Sequence, residues 1–262
     1  MKRYYSIILV VIFIVFAFLG CAGRKEVTEI PKISSGELID SLLAQDTVVH
    51  RVRLLGKGVF ESESEKRGFR VGLVSDRDNQ RLGVYLGAGL TGVFAILWLC
   101  HQDSLCIYIA LKKYVIVEPI GAQIEGVVLP PKASVMIDMF SGLSPLVSFK
   151  DSLTNYEPTP SGYYLTFEKN NEALIIFAKP NPWHIDGYQW VQNTEPKQIV
   201  DVQFEDGKIT DNIWRPENIK ISQPSLDQEI NLKIEKYIIN PEIGDSLFEP
   251  KIPEKAYWYR AF

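Results

Sequence analysis

The chain has 262 residues, 46% of them hydrophobic and 23% charged, with a formal net charge of -4. That composition builds a sizeable core and is not that of a disordered tail. With 28 basic against 32 acidic residues there is no basic excess to neutralise phosphates, which argues against a nucleic-acid partner, and three cysteines exclude a disulfide-dense miniature fold.

The N-terminus has its own pattern. Lys2 and Arg3 precede an apolar run from Ser6 to Leu19, and polar sequence begins at Arg24. The run has 14 residues, shorter than the roughly 20 of a transmembrane helix and of the length of a signal-peptide core. It ends in Phe18-Leu19-Gly20-Cys21, which resembles a lipobox, the site of type II signal cleavage. Gly20 and Cys21 match that motif, whereas Phe18 and Leu19 depart from its commonest residues. The resemblance implies cleavage before Cys21 and acylation of Cys21, and two or more acyl chains anchor a protein stably. The competing reading is an uncleaved N-terminal anchor. Ala22 rather than Asp follows the cysteine, which by the enterobacterial sorting pattern points to the periplasmic face of the outer membrane. The expected division is a signal peptide over 1–20, an acylated cysteine and tether over 21–33, and a single domain over 34–262.

The body opens with a short helix. Ser34-x-x-Glu37 fits a capping box, and Leu38, Ile39, Leu42 and Leu43 follow at helical spacing. From Thr47 the period changes to two. Strands are expected over Val48–Phe60, Phe69–Ser75 and Arg81–Leu86, joined by the polar turns ESESEKRG and DRDNQ. A Gly-containing loop, 87–92, leads to the apolar run Val93–Cys100. The turn HQDS then leads to a long strand expected over Leu105–Val117. A hairpin apolar on both faces belongs mid-sheet, covered on each side. Ala133 to Leu143 carries a helical apolar stripe of Val135, Met136, Met139, Phe140 and Leu143, ended by Gly142 and Pro145. A second block of strands is expected over Tyr163–Lys169, Ala173–Lys179, Gln189–Gln192, Gln198–Glu205, Ile209–Trp214, Asn218–Ser222 and Ile230–Ile239. Asn170-Asn171 and Asp206-Gly207 are strong turn signals within it. The C-terminal stretch from Ile239 is Pro-rich and reads as irregular. Strand meanders with few helices imply an α+β, mostly β fold.

Four stretches, in this order, resemble the LolA/LolB superfamily of lipoprotein carriers and outer-membrane receptors. They are Arg51–Gly58, the loop from Leu86 to Gly92, Met139–Pro145, and Ile239-Asn240-Pro241 through Phe248 to Ile252-Pro253. The resemblance implies a strongly curved antiparallel sheet, an unclosed half-barrel, with short helices packed on its concave side. In the receptor a loop leucine serves membrane insertion or cargo transfer. Leu90 falls at the matching place, but Gly89 and Thr91 replace the family's Pro and Gly, so this part of the pattern is only partly reproduced.

No catalytic or metal motif is visible, and the expectation is a protein that is not an enzyme and carries no cofactor. His184-x-Asp186 could pair a base with its orienter, but a polar turn near two prolines explains it better. Asp76, Asp78 and Asn79 lack the Gly and Glu of a calcium loop and read as a solvated hairpin turn. Cys100 and Cys106 flank a short turn, where a disulfide would fit an exported protein. Their apolar strands favour unpaired thiols instead. Phe94, Ile96, Trp98, Ile107, Ile109, Met136, Met139, Phe140 and Ile176 are candidates to line an apolar cavity between sheet and helix, with ordinary core packing as the alternative for each. The expected function is a membrane-anchored envelope lipoprotein that binds acyl chains of lipids or lipoproteins and aids their transfer or outer-membrane insertion. Its partners would be membrane lipid at Cys21, those acyl chains, and a periplasmic carrier protein. The alternative is a structural or assembly-factor lipoprotein with a filled core.

Overall fold

The computed structural model describes residues 30–87, 92–101, 104–120, 123–124, 127–128, 132–193, 195 and 197–260. The expected signal peptide over 1–20, Cys21 and Leu90 lie outside them. Residues 32–262 form one compact unit. Among the described residues, no helix is long and apolar enough to cross a membrane.

The first helix, α1 (Ser35–Asp46), starts where its cap dictates. The Ser34 side chain accepts from the Glu37 amide at 3.3 Å, and the Ser34 amide donates to the Glu37 carboxylate at 3.1 Å. Leu38, Ile39 and Leu42 form its buried face. Six strands follow in a meander: β1 (Arg51–Ser62), β2 (Lys66–Asp76), β3 (Arg81–Gly87), β4 (Val93–His101), β5 (Ser104–Ile109) and β6 (Tyr114–Pro119). A small hairpin, β7 (Gln123–Ile124) and β8 (Val127–Val128), precedes α2 (Ala133–Phe140) and α3 (Leu146–Phe149). Gly142 ends α2 with a φ of 69°, a left-handed conformation suited to glycine at a helix C-terminus.

The second block runs β9 (Leu153–Thr159), β10 (Gly162–Lys169), β11 (Glu172–Lys179), β12 (His184–Gln192), β13 (Gln198–Glu205), β14 (Lys208–Thr210), β15 (Ile213–Arg215), β16 (Asn218–Gln223) and β17 (Gln228–Ile239). A last strand, β18 (Tyr257–Arg260), closes the described chain. Among the described residues fourteen strands form one sheet, in the order β18-β6-β5-β4-β3-β2-β1-β17-β16-β13-β12-β11-β10-β9. Neighbours pair antiparallel except β18, which runs parallel to β6. The sheet is strongly curved and does not close, giving a mostly β half-barrel with few short helices.

Three local expectations are corrected. The run Leu105–Val117 is two strands, because Ala110–Lys113 forms a turn in which Lys113 takes a φ of 55° and Leu111 stands exposed. The β4–β5 hairpin therefore lies third and fourth from one edge of the sheet rather than in its middle. The run Ile209–Trp214 is a two-stranded hairpin, β14 with β15, turned at Asp211 and Asn212, both with positive φ.

Candidate functional site

Strand alternation assigns every sheet residue to one of two faces. Paired residues share a face, so Tyr237, Leu54, Leu73, Val84, Leu97, Ile107 and Ile116 form one row across β17 to β6. This is the concave, helix-bearing side: the Tyr237 hydroxyl donates to the Ser141 carbonyl at 2.6 Å, and Ser141 Oγ bonds Ser75 Oγ at 2.7 Å. The main sheet contacts of the helices are α1 on β12, α2 on β2 and α3 on β10. Under them the face is close-packed: Leu165, Phe167, Leu174, Ile176 and Trp190 are fully buried together with Met136 and Phe149.

Beyond β3 the concave face changes character. Leu97, Leu99, Ile107, Ile109 and Ile116 are only half-buried, although their neighbours Ala95 and Leu105 are buried. These side chains make an aliphatic strip along the concave curve of the sheet, here the trough, at the β4–β6 end of the half-barrel.

The opposite, convex face of the same strands is sealed by the chain's own C-terminal segment. Trp98, Cys106, Tyr108 and Val115 form a buried cluster with Ile96, Cys100, Ile252 and Ala256 against it. The sulfurs of Cys100 and Cys106 are bonded, with their Cα atoms 5.8 Å apart. The structure thus departs from the expectation of unpaired thiols. Their strands are apolar, but Cys100 and Cys106 share the convex face at the end where β4 leads into β5, which brings the sulfurs together.

The nine candidate cavity residues therefore do not meet in one place. Ile107 and Ile109 lie in the concave trough. Ile96 and Trp98 lie on the convex cluster, and Phe94 shares their face by alternation. Met136 and Met139 are buried on α2, with Phe140 half-buried at its end, and Ile176 of β11 is buried beneath the helices.

A charged network ties the helices to the sheet, and nothing local in the sequence announces it. Arg77, on the β2–β3 turn, bonds Asp138 of α2 at 2.8 Å and donates to the backbone carbonyls of Asp46 and Val49 at 2.7 and 3.2 Å. Arg215 of β15 donates to the Gln45 carbonyl at 3.1 Å and lies 3.7 Å from the Asp46 carboxylate. Burial pushes the Asp138 carboxyl up to about 7 against the pull of Arg77, and Asp46 beside it raises it further. Burial also raises Asp46, opposed by Arg215 and Arg77. A cleft of about 270 Å³ opens here, lined in part by Val49, Arg77, Ile137, Asp138 and Val147. That is just below the roughly 300–1,000 Å³ usual for ligand pockets.

The remaining polar candidates hold structure together. Asp76 is fully buried rather than solvated, and it accepts from Arg51, Asn79 and Arg81 at 3.0–3.1 Å. Burial acts to raise this carboxyl, but bonds from Asn79 and Arg81 and the charge of Arg51 outweigh it and hold it below its ordinary value. Asp78 faces solvent and pairs with His50 at 3.1 Å. His184 stacks on Trp214 at 4.2 Å, and its Nδ1 meets the Pro182 carbonyl at 2.7 Å. Its Nε2 is 3.9 Å from Asp186, beyond hydrogen-bond reach.

No family profile and no curated protein sequence matches the chain. Solved structures do. A DUF1329 family protein from Desulfovibrio piger superposes with a TM-score of 0.57 at 9% identity, covering 82% of this chain and 96% of that one. A putative outer membrane lipoprotein-sorting protein domain from Vibrio parahaemolyticus gives 0.58 at 8% identity, covering 82% and 96%. A LolA superfamily protein from Nitrosomonas europaea gives 0.56 at 9%, covering 83% and 98%. At these identities the likeness is one of fold: the chain has the LolA/LolB-like half-barrel.

Proposed function

We propose that this half-barrel belongs to a bacterial envelope lipoprotein, anchored through Cys21, that holds acyl chains of a lipid or lipoprotein on its concave face and aids their delivery to the outer membrane. The observation that carries this reading is the aliphatic trough of Leu97, Leu99, Ile107, Ile109 and Ile116. An acyl chain exposed to water costs about 0.8 kcal/mol per CH₂, and a surface of aliphatic side chains removes that cost without demanding a fixed shape. Nothing in the network around Arg77 requires the ligand to be charged. The resemblance of the Phe18–Cys21 segment to a lipobox supports the anchor, and the fold likeness to a lipoprotein-sorting domain supports the cargo class. Leu90, outside the described residues, is retained as the candidate transfer loop.

The filled concave face under the helices favours a second reading, an assembly factor with no ligand. Titration with a fluorescent fatty acid, alongside mass spectrometry of lipid extracted from the purified chain, separates the two. Bound lipid and saturable probe binding support carriage. An empty protein that ignores the probe supports the scaffold.

A further inference from the structure

Five of the ten large apolar side chains that stand exposed among the described residues gather at one corner of the sheet: Val93, Leu111, Tyr257, Trp258 and Tyr259. Such concentration on so few residues calls for a partner. Leu111, 89% exposed, is in the turn between β5 and β6. Strand β18 starts against that turn, because the Tyr257 amide donates to the Lys113 carbonyl at 3.0 Å. Val93 opens β4 at the same end, where the Ala110 amide reaches the Phe94 carbonyl at 2.9 Å. The corner also carries Lys112, Lys113 and Lys255, with Glu254 as the acid in the same turn. Lys112 lies 5.4 Å over the Tyr114 ring, which meets Tyr259 edge-on at 5.5 Å.

Direction distinguishes the possible partners. Tyr257 and Tyr259 pair with Tyr114 and Ile116 and so share the concave face, whereas Trp258 pairs with Val115 on the convex face. Leu111 points from neither, being at the tip. A flat protein surface would cover one face only, and a strand added along the free edge of β18 would leave the tip bare. A fluid layer receives the tip and both faces at once. Tyr, Trp and Lys are the residues that settle at a lipid headgroup region. We propose that this corner is a membrane-contact surface that sinks into the headgroup layer of an anionic bilayer. The β1–β2 turn, where Glu61 of β1 pairs with Lys66 and Glu65 with Arg67, is at the same end of the sheet but begins three strands from β5. At about 4.8 Å per strand that is beyond the screening length of roughly 8 Å at physiological salt, so the corner docks without it. The proposal takes from the functional reading only that the chain works beside a membrane, and it does not need acyl-chain binding.

The test uses the full chain and vesicles of phosphatidylglycerol and phosphatidylcholine bearing brominated acyl chains, which quench nearby tryptophan. No tryptophan precedes Trp98, so the N-terminal segment is silent. Quenching should fall by half or more in Trp258→Phe, and again in a Lys112→Glu, Lys113→Glu variant, with the unfolding midpoint of each unchanged. Equal quenching in the native chain and Trp258→Phe overturns the proposal, as does failure to co-sediment with the vesicles. Self-association that Leu111→Ser abolishes identifies a second copy as the occupant and also overturns it. Loss of fatty-acid probe binding with quenching intact counts against the carrier reading alone.

Discussion

Gly83 lies directly beneath Leu247: a Cβ added to Gly83 would stand 2.4 Å from the Leu247 carbonyl oxygen. That oxygen accepts the Tyr85 hydroxyl at 2.8 Å, and the neighbouring Phe248 ring lies 4.4 Å beneath the Arg81 guanidinium. The C-terminal segment is thus seated on β3 by a close approach that only glycine permits. Gly83→Ala should push the backbone of 244–248 away and cost about 1–3 kcal/mol, as overpacking does. Urea unfolding followed by circular dichroism measures the loss, and faster proteolysis between 241 and 256 locates it. An unchanged midpoint would show that the segment contributes little to the seal.

The Arg77–Asp138 pair predicts a pH dependence. Asp138 titrates at about 7 in the folded chain, above the roughly 3.9 of an unfolded aspartate. The folded state therefore binds this proton more tightly, and stability declines as pH rises from about 4 through 7. Asp46 is shifted in the same direction. His184 is shifted down by burial, so its contribution has the opposite sign and is lost as pH falls below its ordinary 6.5. Subtracting the pH profile of Asp138→Asn from that of the native chain removes the His184 part. The difference should slope downward over pH 4–7 and flatten above it, and a flat difference throughout would show that Asp138 is ionised in both states.

The Cys100–Cys106 bond closes a loop at one end of the convex cluster. Chain-entropy arithmetic for so short a loop gives about 2 kcal/mol. Alkylation without reductant should leave both cysteines unlabelled, and Cys100→Ser with Cys106→Ser should lower stability by about that amount. Labelling of both in the unreduced protein would contradict the bond.

The fold and the candidate site are legible in the sequence to different degrees. The α1 cap was readable because Ser34 and Glu37 are local partners, and β1 to β3 were readable because polar turns separate alternating runs. The β5–β6 turn was not, since Ala110-Leu111-Lys112-Lys113 has none of the usual turn residues. Strand β9 carries Pro158, which is tolerated because β9 is an edge. Arg77 and Arg215 reach partners 31 and 170 residues away in the chain, a separation no local pattern encodes. Apolarity alone marks the cavity candidates, and both faces of β4 and β5 share it. Only the register separates Ile107 from Trp98, and only the C-terminal segment explains why the convex face is apolar too.

The trough yields the sharpest contrast. Ile107 and Ile176 are both concave isoleucines, but Ile107 is half-buried in the trough and Ile176 is fully buried beneath the helices. If acyl chains lie in the trough, Ile107→Ala removes contact area worth about 1 kcal/mol, or roughly fivefold in affinity for a fatty-acid probe. Its half-exposed position keeps the stability loss below that of a core truncation. Ile176→Val should do the reverse, costing about 0.5–1.5 kcal/mol of stability by opening a methyl-sized gap while leaving probe affinity unchanged. Isothermal titration for affinity and urea melts for stability read the two effects separately. Equal affinity losses in both variants would move the ligand beneath the helices, and no loss in either would leave the trough as ordinary surface.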